Sequence, residues 1–373
     1  MIILIIRRGI MKCVTVLFLF IAGSLLLCSP VMAWDLKGAL AEWDTTPWRP
    51  YDIEVLDNGQ VWLTVHDPTS TDWPFGKIFK VDPTDGSITA LTPPPPWVPI
   101  GFSQLVKDAS NTLWITDQED RIIHFIPPAS WVEYPLTGAV FTLPATPNGI
   151  ALAPDGSVWF TCTGDRCLGR LDPNASVTTR WKRFAPLPTN VLPDHPNQIT
   201  VGPDGIVWFT VGHGAVPRLG RLDPSSGTFT LLDTLPFTGA LSPYGVIVLE
   251  GMVWFLDHQA NRLVRYNPSS GLFTTYNTLP DLQDAHFLVA DPDGVIWLTA
   301  FVSDAIGTFD PETETFDSMP LARAGANPMG IALSPNGQVW WAETVETGHG
   351  GVGRFIPLCG GLVPATMLLL DLL

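Results

Sequence analysis

The chain has 373 residues, with 20 Lys or Arg against 36 Asp or Glu, a net charge of −16. That excess of carboxylates argues against nucleic acid or an anionic membrane surface as a partner. Hydrophobic residues make up 46%, and 36 Pro and 33 Gly punctuate them, a mixture that suits short strands and tight turns and argues against long helices.

The N-terminus reads as an export signal. Met11-Lys12 starts a short basic region, Val14 to Leu27 is apolar, and Val31-Met32-Ala33 has the small-residue pattern of a signal-peptidase site. Residues 1–33 are therefore expected to be removed, with 1–10 as an upstream start extension. The mature protein is expected in the periplasm or outside the cell. Leu25-Leu26-Leu27-Cys28 lacks the small residue that precedes a lipoprotein cysteine, so no lipid anchor is expected.

From residue 34 to 357 one phrase returns seven times. A tryptophan sits in a short apolar run after a turn, at Trp62, Trp114, Trp159, Trp208, Trp254, Trp297 and Trp340. Spacings of roughly 43–52 residues, with strand and turn signals between them, predict the blades of a β-propeller. The clearest copy runs from Pro147-Asn148-Gly149-Ile150 to Asp172-Pro173, and the next from Pro196-Asn197 to Asp223-Pro224. Asp-Gly or Asn-Gly makes a hairpin because both positions tolerate positive φ. Val-Trp-Phe-Thr fits a pleated sheet. Asp-Pro ends a strand because Pro has no N–H for the ladder.

Each blade thus reads as strands A to D, with the tryptophan in B. The last blade lacks its own D strand after Phe355-Ile356-Pro357. Gly38 to Trp43 resembles a D strand and is expected to close that blade, leaving no open edge. The fold expected is all-β, a seven-bladed propeller of four-stranded blades, read as a monomer. Cys162 and Cys167 lie within one strand–loop–strand, where an oxidising compartment allows a small disulfide. A zinc site is disfavoured there because no second pair follows. The tail from 358 to 373 is apolar but too short to span a membrane. Its Val-Pro-Ala-Thr-Met-Leu-Leu-Leu resembles a degenerate bacterial C-terminal sorting signal.

Because neighbouring strands run antiparallel, the start of A and the end of B share one mouth. The start-of-A positions are Tyr51, Ser103, Asn148, Asn197, Tyr244, His286 and Met329. The end-of-B positions are Val65, Asp117, Cys162, Val211, Asp257, Ala300 and Glu343. Six of the seven histidines map to this mouth: His66, His195, His213, His258, His286 and His349. His124 falls in a C strand. Asp67, Asp117, Asp257, Glu343 and Glu346 are the acidic neighbours. Imidazole and carboxylate in one concavity are what a divalent metal or an acid–base pair needs. A strand-end carboxylate is costly unless used or paired, which singles out Glu343. No Gly-rich loop opens a helix and no Gly-x-Ser-x-Gly elbow occurs, which sets aside nucleotide-phosphate binding and serine hydrolysis.

Gly149 to Thr161, followed by Leu168-Gly169-Arg170-Leu171-Asp172-Pro173, resembles the streptogramin B lyase (virginiamycin B lyase) family, and the likeness spans about residues 38–357. The resemblance implies a seven-bladed propeller that opens a cyclic depsipeptide by β-elimination across an ester, assisted by Mg²⁺. A base takes an acidic α-proton while a metal stabilises the enolate. Carried over by position, Tyr51, His286 and Glu343 match family site residues, with His286 and Glu343 as metal-associated candidates. The family's last-blade Glu-Pro-His-Gly is replaced by Asn327-Pro328-Met329-Gly330, which removes the expected base and one carboxylate. His349 or Glu346 stands near enough in sequence to substitute as base. Two readings follow: an exported C–O lyase acting on a lactone or ester, or a non-catalytic propeller that binds a small molecule or protein at its mouth.

Overall fold

The computed structural model describes residues 38–66, 76–94, 101–185, 195–212, 218–232, 242–278, 280–344 and 350–357. The segment expected to be an export signal, the apolar tail, and His213, His349, Asp67 and Glu346 lie outside these residues. Among the described residues every regular element is a strand, and no helix is long and apolar enough to cross a membrane.

The strands form seven four-stranded antiparallel sheets. Six take their strands in chain order, over 49–91, 102–135, 147–184, 195–232, 243–277 and 285–320. The seventh combines Pro328–Leu333, Val339–Glu343 and Gly351–Pro357 with Gly38–Asp44 from the other end of the chain. That last pairing runs without a register shift from Gly38 opposite Pro357 to Asp44 opposite Gly351. Trp43 reinforces it by stacking on Trp340 at 5.6 Å, with the Arg354 guanidinium over both rings.

The innermost strands neighbour one another in sequence around an axis, and Arg49–Val55 of the first sheet packs on Pro328–Leu333 of the last. The result is the seven-bladed propeller that the tryptophan spacing predicts. The core lies between blades, because each sheet is apolar on both faces. Trp340 of blade 7 packs with Ile53 and Leu63 of blade 1, and Trp297 of blade 6 packs with Ile331 and Trp341 of blade 7. All seven repeat tryptophans are buried. No blade covers its own faces, so each is stabilised by its two neighbours.

The turns follow the residues expected of them. Gly59, Gly156, Gly205, Gly294 and Gly337 each close an A–B hairpin with φ between 77° and 88°, a region an L side chain rarely adopts. Blade 2 uses Asn111 at φ 62° for the same purpose.

One regularity ties the blades together near the axis. Every A strand carries a bulge where it starts, for example between Pro147 and Ile150. In blades 1 to 4 and 6 the N–H freed by the bulge is taken up by a threonine two residues after the B-strand tryptophan. Gly149 N donates to Thr161 Oγ1 at 2.8 Å, and Thr161 Oγ1 donates to Asn197 O in the next blade at 2.8 Å. Thr64, Thr116 and Thr210 repeat this two-way link. Blades meet so closely here that a methyl on Gly149 would stand 2.5 Å from Asn197 O.

Candidate functional site at the mouth of the ring

The bulges aim the start-of-A side chains into one opening, because the extra residue turns the local strand. Tyr51 and Tyr244 meet there, with hydroxyl oxygens 3.0 Å apart. His66 stacks on Tyr51 at 5.3 Å, and its Nε2 lies 2.8 Å from Phe102 O. Ser103 Oγ donates to Asn148 Oδ1 at 2.6 Å. Burial pushes both tyrosine hydroxyls above their ordinary range, so they act as neutral donors and acceptors.

Beside the tyrosines lie further buried side chains. Phe287 stands edge-on to both rings, and Gln104 Nε2 donates to Gln198 Oε1 at 2.9 Å. Asp52 accepts N–H groups from Ile53 at 2.9 Å and Leu105 at 3.1 Å. Burial raises its carboxyl to about 7, against the pull of those two donors. Next to the tyrosines lies a cavity of about 450 Å³. Its walls are Tyr51, Tyr244, Asn148, Asn197 and His195, with Thr146, Thr163, Gln118 and Gly164 on the blade 2–3 side. Among the described residues that line it there is no carboxylate. The cavity offers amides, hydroxyls, an imidazole and two rings, a donor and acceptor set for an uncharged polar ligand.

His286 lies on the far side of Tyr244, edge-on to it at 5.0 Å, and joins His258 and Asp284. The two imidazoles stack at 4.7 Å. His258 Nδ1 is 2.6 Å from Asp284 Oδ1, and His286 Nδ1 is 3.0 Å from Asp284 O. Burial pushes the Asp284 carboxyl up, but the His258 hydrogen bond and the two imidazoles outweigh it and hold the group below its ordinary value. Sequence reasoning placed both histidines at the mouth but did not single out Asp284. The available signal was its place two residues before His286.

Glu343 is not in that cluster. Its side chain is fully buried, accepting from Trp341 Nε1 at 3.0 Å and lying 3.5 Å from Arg323 Nε. Burial raises its carboxyl to about 7; Glu42 and Asp304 add to the rise, and the Trp341 bond and Arg323 oppose it. The same end-of-B position in two other blades holds a buried carboxylate on an arginine, Asp117 on Arg121 and Asp257 on Arg262, each at 2.9 Å. Glu343 shares their arrangement. Gly351 leaves the room for it, since a methyl there would strike both the Glu343 carboxylate and Arg323.

The departures in the last blade have equally clear surroundings. Met329 is 7% exposed and packs with Tyr244, Phe287, Trp297 and Trp341. Asn327 Nδ2 donates to Phe301 O at 3.2 Å, and its N–H is held by Asp304 Oδ1 at 2.9 Å. The Mg²⁺ that the resemblance implies needs an octahedral set of oxygens. Glu343 accepts from Trp341 and lies 3.5 Å from the Arg323 guanidinium, His286 sits in the separate cluster with His258 and Asp284, and Asn327 bonds to backbone. These residues do not fit that ion.

Cys162 and Cys167 stand directly opposite in adjacent strands, as a disulfide would need, yet both are free thiols. Both are buried in an apolar cluster, and Cys167 Sγ faces Asp165 Oδ2 at 3.5 Å. Burial pushes the Cys162 thiol well above its ordinary range, which keeps it protonated and inert.

The sequence profile of the virginiamycin B lyase family matches residues 40–352. A streptogramin B lyase structure superposes with a TM-score of 0.69 at 23% identity, covering 85% of this chain and 98% of that one. A catalytically inactive histidine-to-alanine variant of virginiamycin B lyase from Staphylococcus aureus, with quinupristin, gives 0.70 at 24% identity over 86% and 100%. A chain of the mitotic checkpoint complex gives 0.64 at 10% identity over 90% and 99%. At these identities the structural likeness speaks for the fold alone. No curated protein matches the sequence.

Proposed function

The chain belongs to the virginiamycin B lyase family, and from that premise we propose that it is an exported propeller that captures a small uncharged molecule at its mouth without opening a streptogramin ring. The observation that carries this reading is Met329. It stands where the resemblance places the catalytic base, and it is packed into a core of Tyr244, Phe287, Trp297 and Trp341. A thioether takes no proton, and its surroundings are apolar packing. The described residues that line the cavity beside it are polar and uncharged or aromatic, and the N-terminal signal supports action outside the cytoplasm.

The experiment is incubation with quinupristin, followed by calorimetry for binding and mass spectrometry for ring opening. Binding weakened by Asn148→Ala or Asn197→Ala, with no mass change, is the expected result. A ring-opened product from the wild type would overturn the reading.

The lyase reading keeps one specific observation in its favour. His258 and Asp284 form the hydrogen-bonded imidazole–carboxylate pair that proton abstraction uses, and they adjoin the retained His286. A screen of lactones and cyclic esters tests it, with loss of turnover in Asp284→Asn as its signature.

A further inference from the structure

We propose that His258, Asp284 and His286 form a binding site for a divalent transition-metal ion at the seam between blades 5 and 6. The proposal does not rest on the ligand reading of the cavity. One donor atom from each residue lies within 4.8 Å of the other two. A single ion bound at about 2.0–2.2 Å to each draws such a set together with small side-chain motion.

Three separately braced pieces of backbone deliver the donors. His258 follows the strand Met252–Asp257, and its N–H bonds to Ser242 O at 3.3 Å. Asp284 adopts φ 58°, with its N–H on Asn261 Oδ1 at 2.8 Å and its carbonyl accepting Phe301 N at 3.1 Å. His286 lies in the strand Ala285–Ala290. A left-handed conformation locked from both sides is a local cost that asparagine and aspartate bear best. Here it turns the carboxylate toward His258.

The hydrogen bonds also set the ring states. Asp284 O can only accept, so His286 Nδ1 carries the proton and the lone pair sits on Nε2. A metal-bound histidine is oriented in the same way, by donating its second nitrogen to a carbonyl. His258 Nδ1 and Asp284 Oδ1 are hydrogen-bonded at 2.6 Å, with the imidazole N–H as donor to the carboxylate. An ion that takes both atoms displaces that proton, and the pair opens from 2.6 Å to about 3.3 Å, the separation of two donors on a tetrahedral ion. Tyr244 stands edge-on to both imidazoles and Phe301 edge-on to His286, which shields the site and fixes the rings.

The donor chemistry selects the metal. Two imidazoles and one carboxylate suit Zn²⁺, Ni²⁺ or Cu²⁺ and are a poor set for Mg²⁺. Neither Glu343 nor Asn327 takes part. Three protein donors leave a fourth position for water or for an atom of a ligand.

The test is calorimetric titration of the full chain with Zn²⁺, and separately with Mg²⁺, after treatment with a chelator. The wild type and His124→Gln are expected to take one equivalent of Zn²⁺ and to melt at a higher temperature with it. Asp284→Asn and His286→Ala, shown to be folded by circular dichroism, should bind at least tenfold more weakly and lose the melting shift. If His286→Ala does not fold, His258→Gln serves in its place. Mg²⁺ should give no saturable heat. Absence of Zn²⁺ binding to the wild type, or binding unchanged in folded Asp284→Asn, would overturn the proposal, because any ion would then be held elsewhere.

Discussion

Tyr51 and Tyr244, which lie in blades 1 and 5, bond hydroxyl to hydroxyl at 3.0 Å across the mouth of the ring. The contact spans the axis, so it reports whether blades that share no strand pairing keep their distance. Removing either hydroxyl leaves the other poorly partnered in a buried place. Tyr51→Phe and Tyr244→Phe should each cost about 1–2 kcal/mol, and the double variant little more than either single one. Urea unfolding of the four proteins gives the coupling. Additive costs would mean the two rings are held independently.

The threonine links predict a second cost. Thr161→Val keeps the shape but leaves the Gly149 N–H and the Asn197 carbonyl each without the partner that now joins two blades. A loss of about 1–3 kcal/mol is expected. The equivalent position in blade 5 is already apolar, Leu256, so Leu256→Val should cost less than Thr161→Val in the same denaturation assay.

Glu343 makes stability depend on pH. Its folded-state carboxyl sits at about 7, above the ordinary 4.5. The folded protein therefore holds a proton that the unfolded chain releases. This contribution is complete below about 4.5 and is lost as pH rises through about 7. Burial of His66 and His124 lowers their imidazoles below 6.5 and acts in the opposite direction. The variant must therefore be compared with wild type at each pH. Between pH 5 and 7 the stability of Glu343→Gln relative to wild type should rise by about 1 kcal/mol per unit. A difference that stays constant from pH 5 to 8 would show that Glu343 does not hold the proton.

Trp43 offers a test of the shared sheet. It is half-buried between Trp340 and Arg354. Trp43→Ala should cost about 2 kcal/mol. Deleting residues 38–44 exposes the edge of Gly351–Pro357 and should produce dimers or larger species on size exclusion. A monomeric truncated chain with unchanged melting would show that Gly38–Asp44 adds little.

Much of the architecture could be read from residues because its causes are local. A tryptophan between two strand-forming residues, with Asp-Gly before it and Asp-Pro after the next strand, specifies one hairpin wherever it occurs. Antiparallel pairing then brings Tyr51, Asn148, Asn197 and Tyr244 to one opening without further information. What escaped reading depends on connections between blades. Asp284 lies outside any strand, in a left-handed turn, so no periodicity points to it. Arg323 reaches Glu343 from the segment between blades 6 and 7, and spacing along the chain says nothing of that pairing. The strand-end cost that singled out Glu343 is met in part by Arg323, a partner that spacing alone could not name.

The joining of Gly38–Asp44 to Gly351–Pro357 sets an order of events. A strand made early must wait for one made late, so the seventh sheet cannot be assembled until Gly351–Pro357 has been synthesised. Until the final strands emerge, six blades stand with the apolar flanks of the first and sixth uncovered. Long-range pairing of this kind is slow, because loop closure must precede its reward. A protein built this way commits to its native state only after its last blade is released.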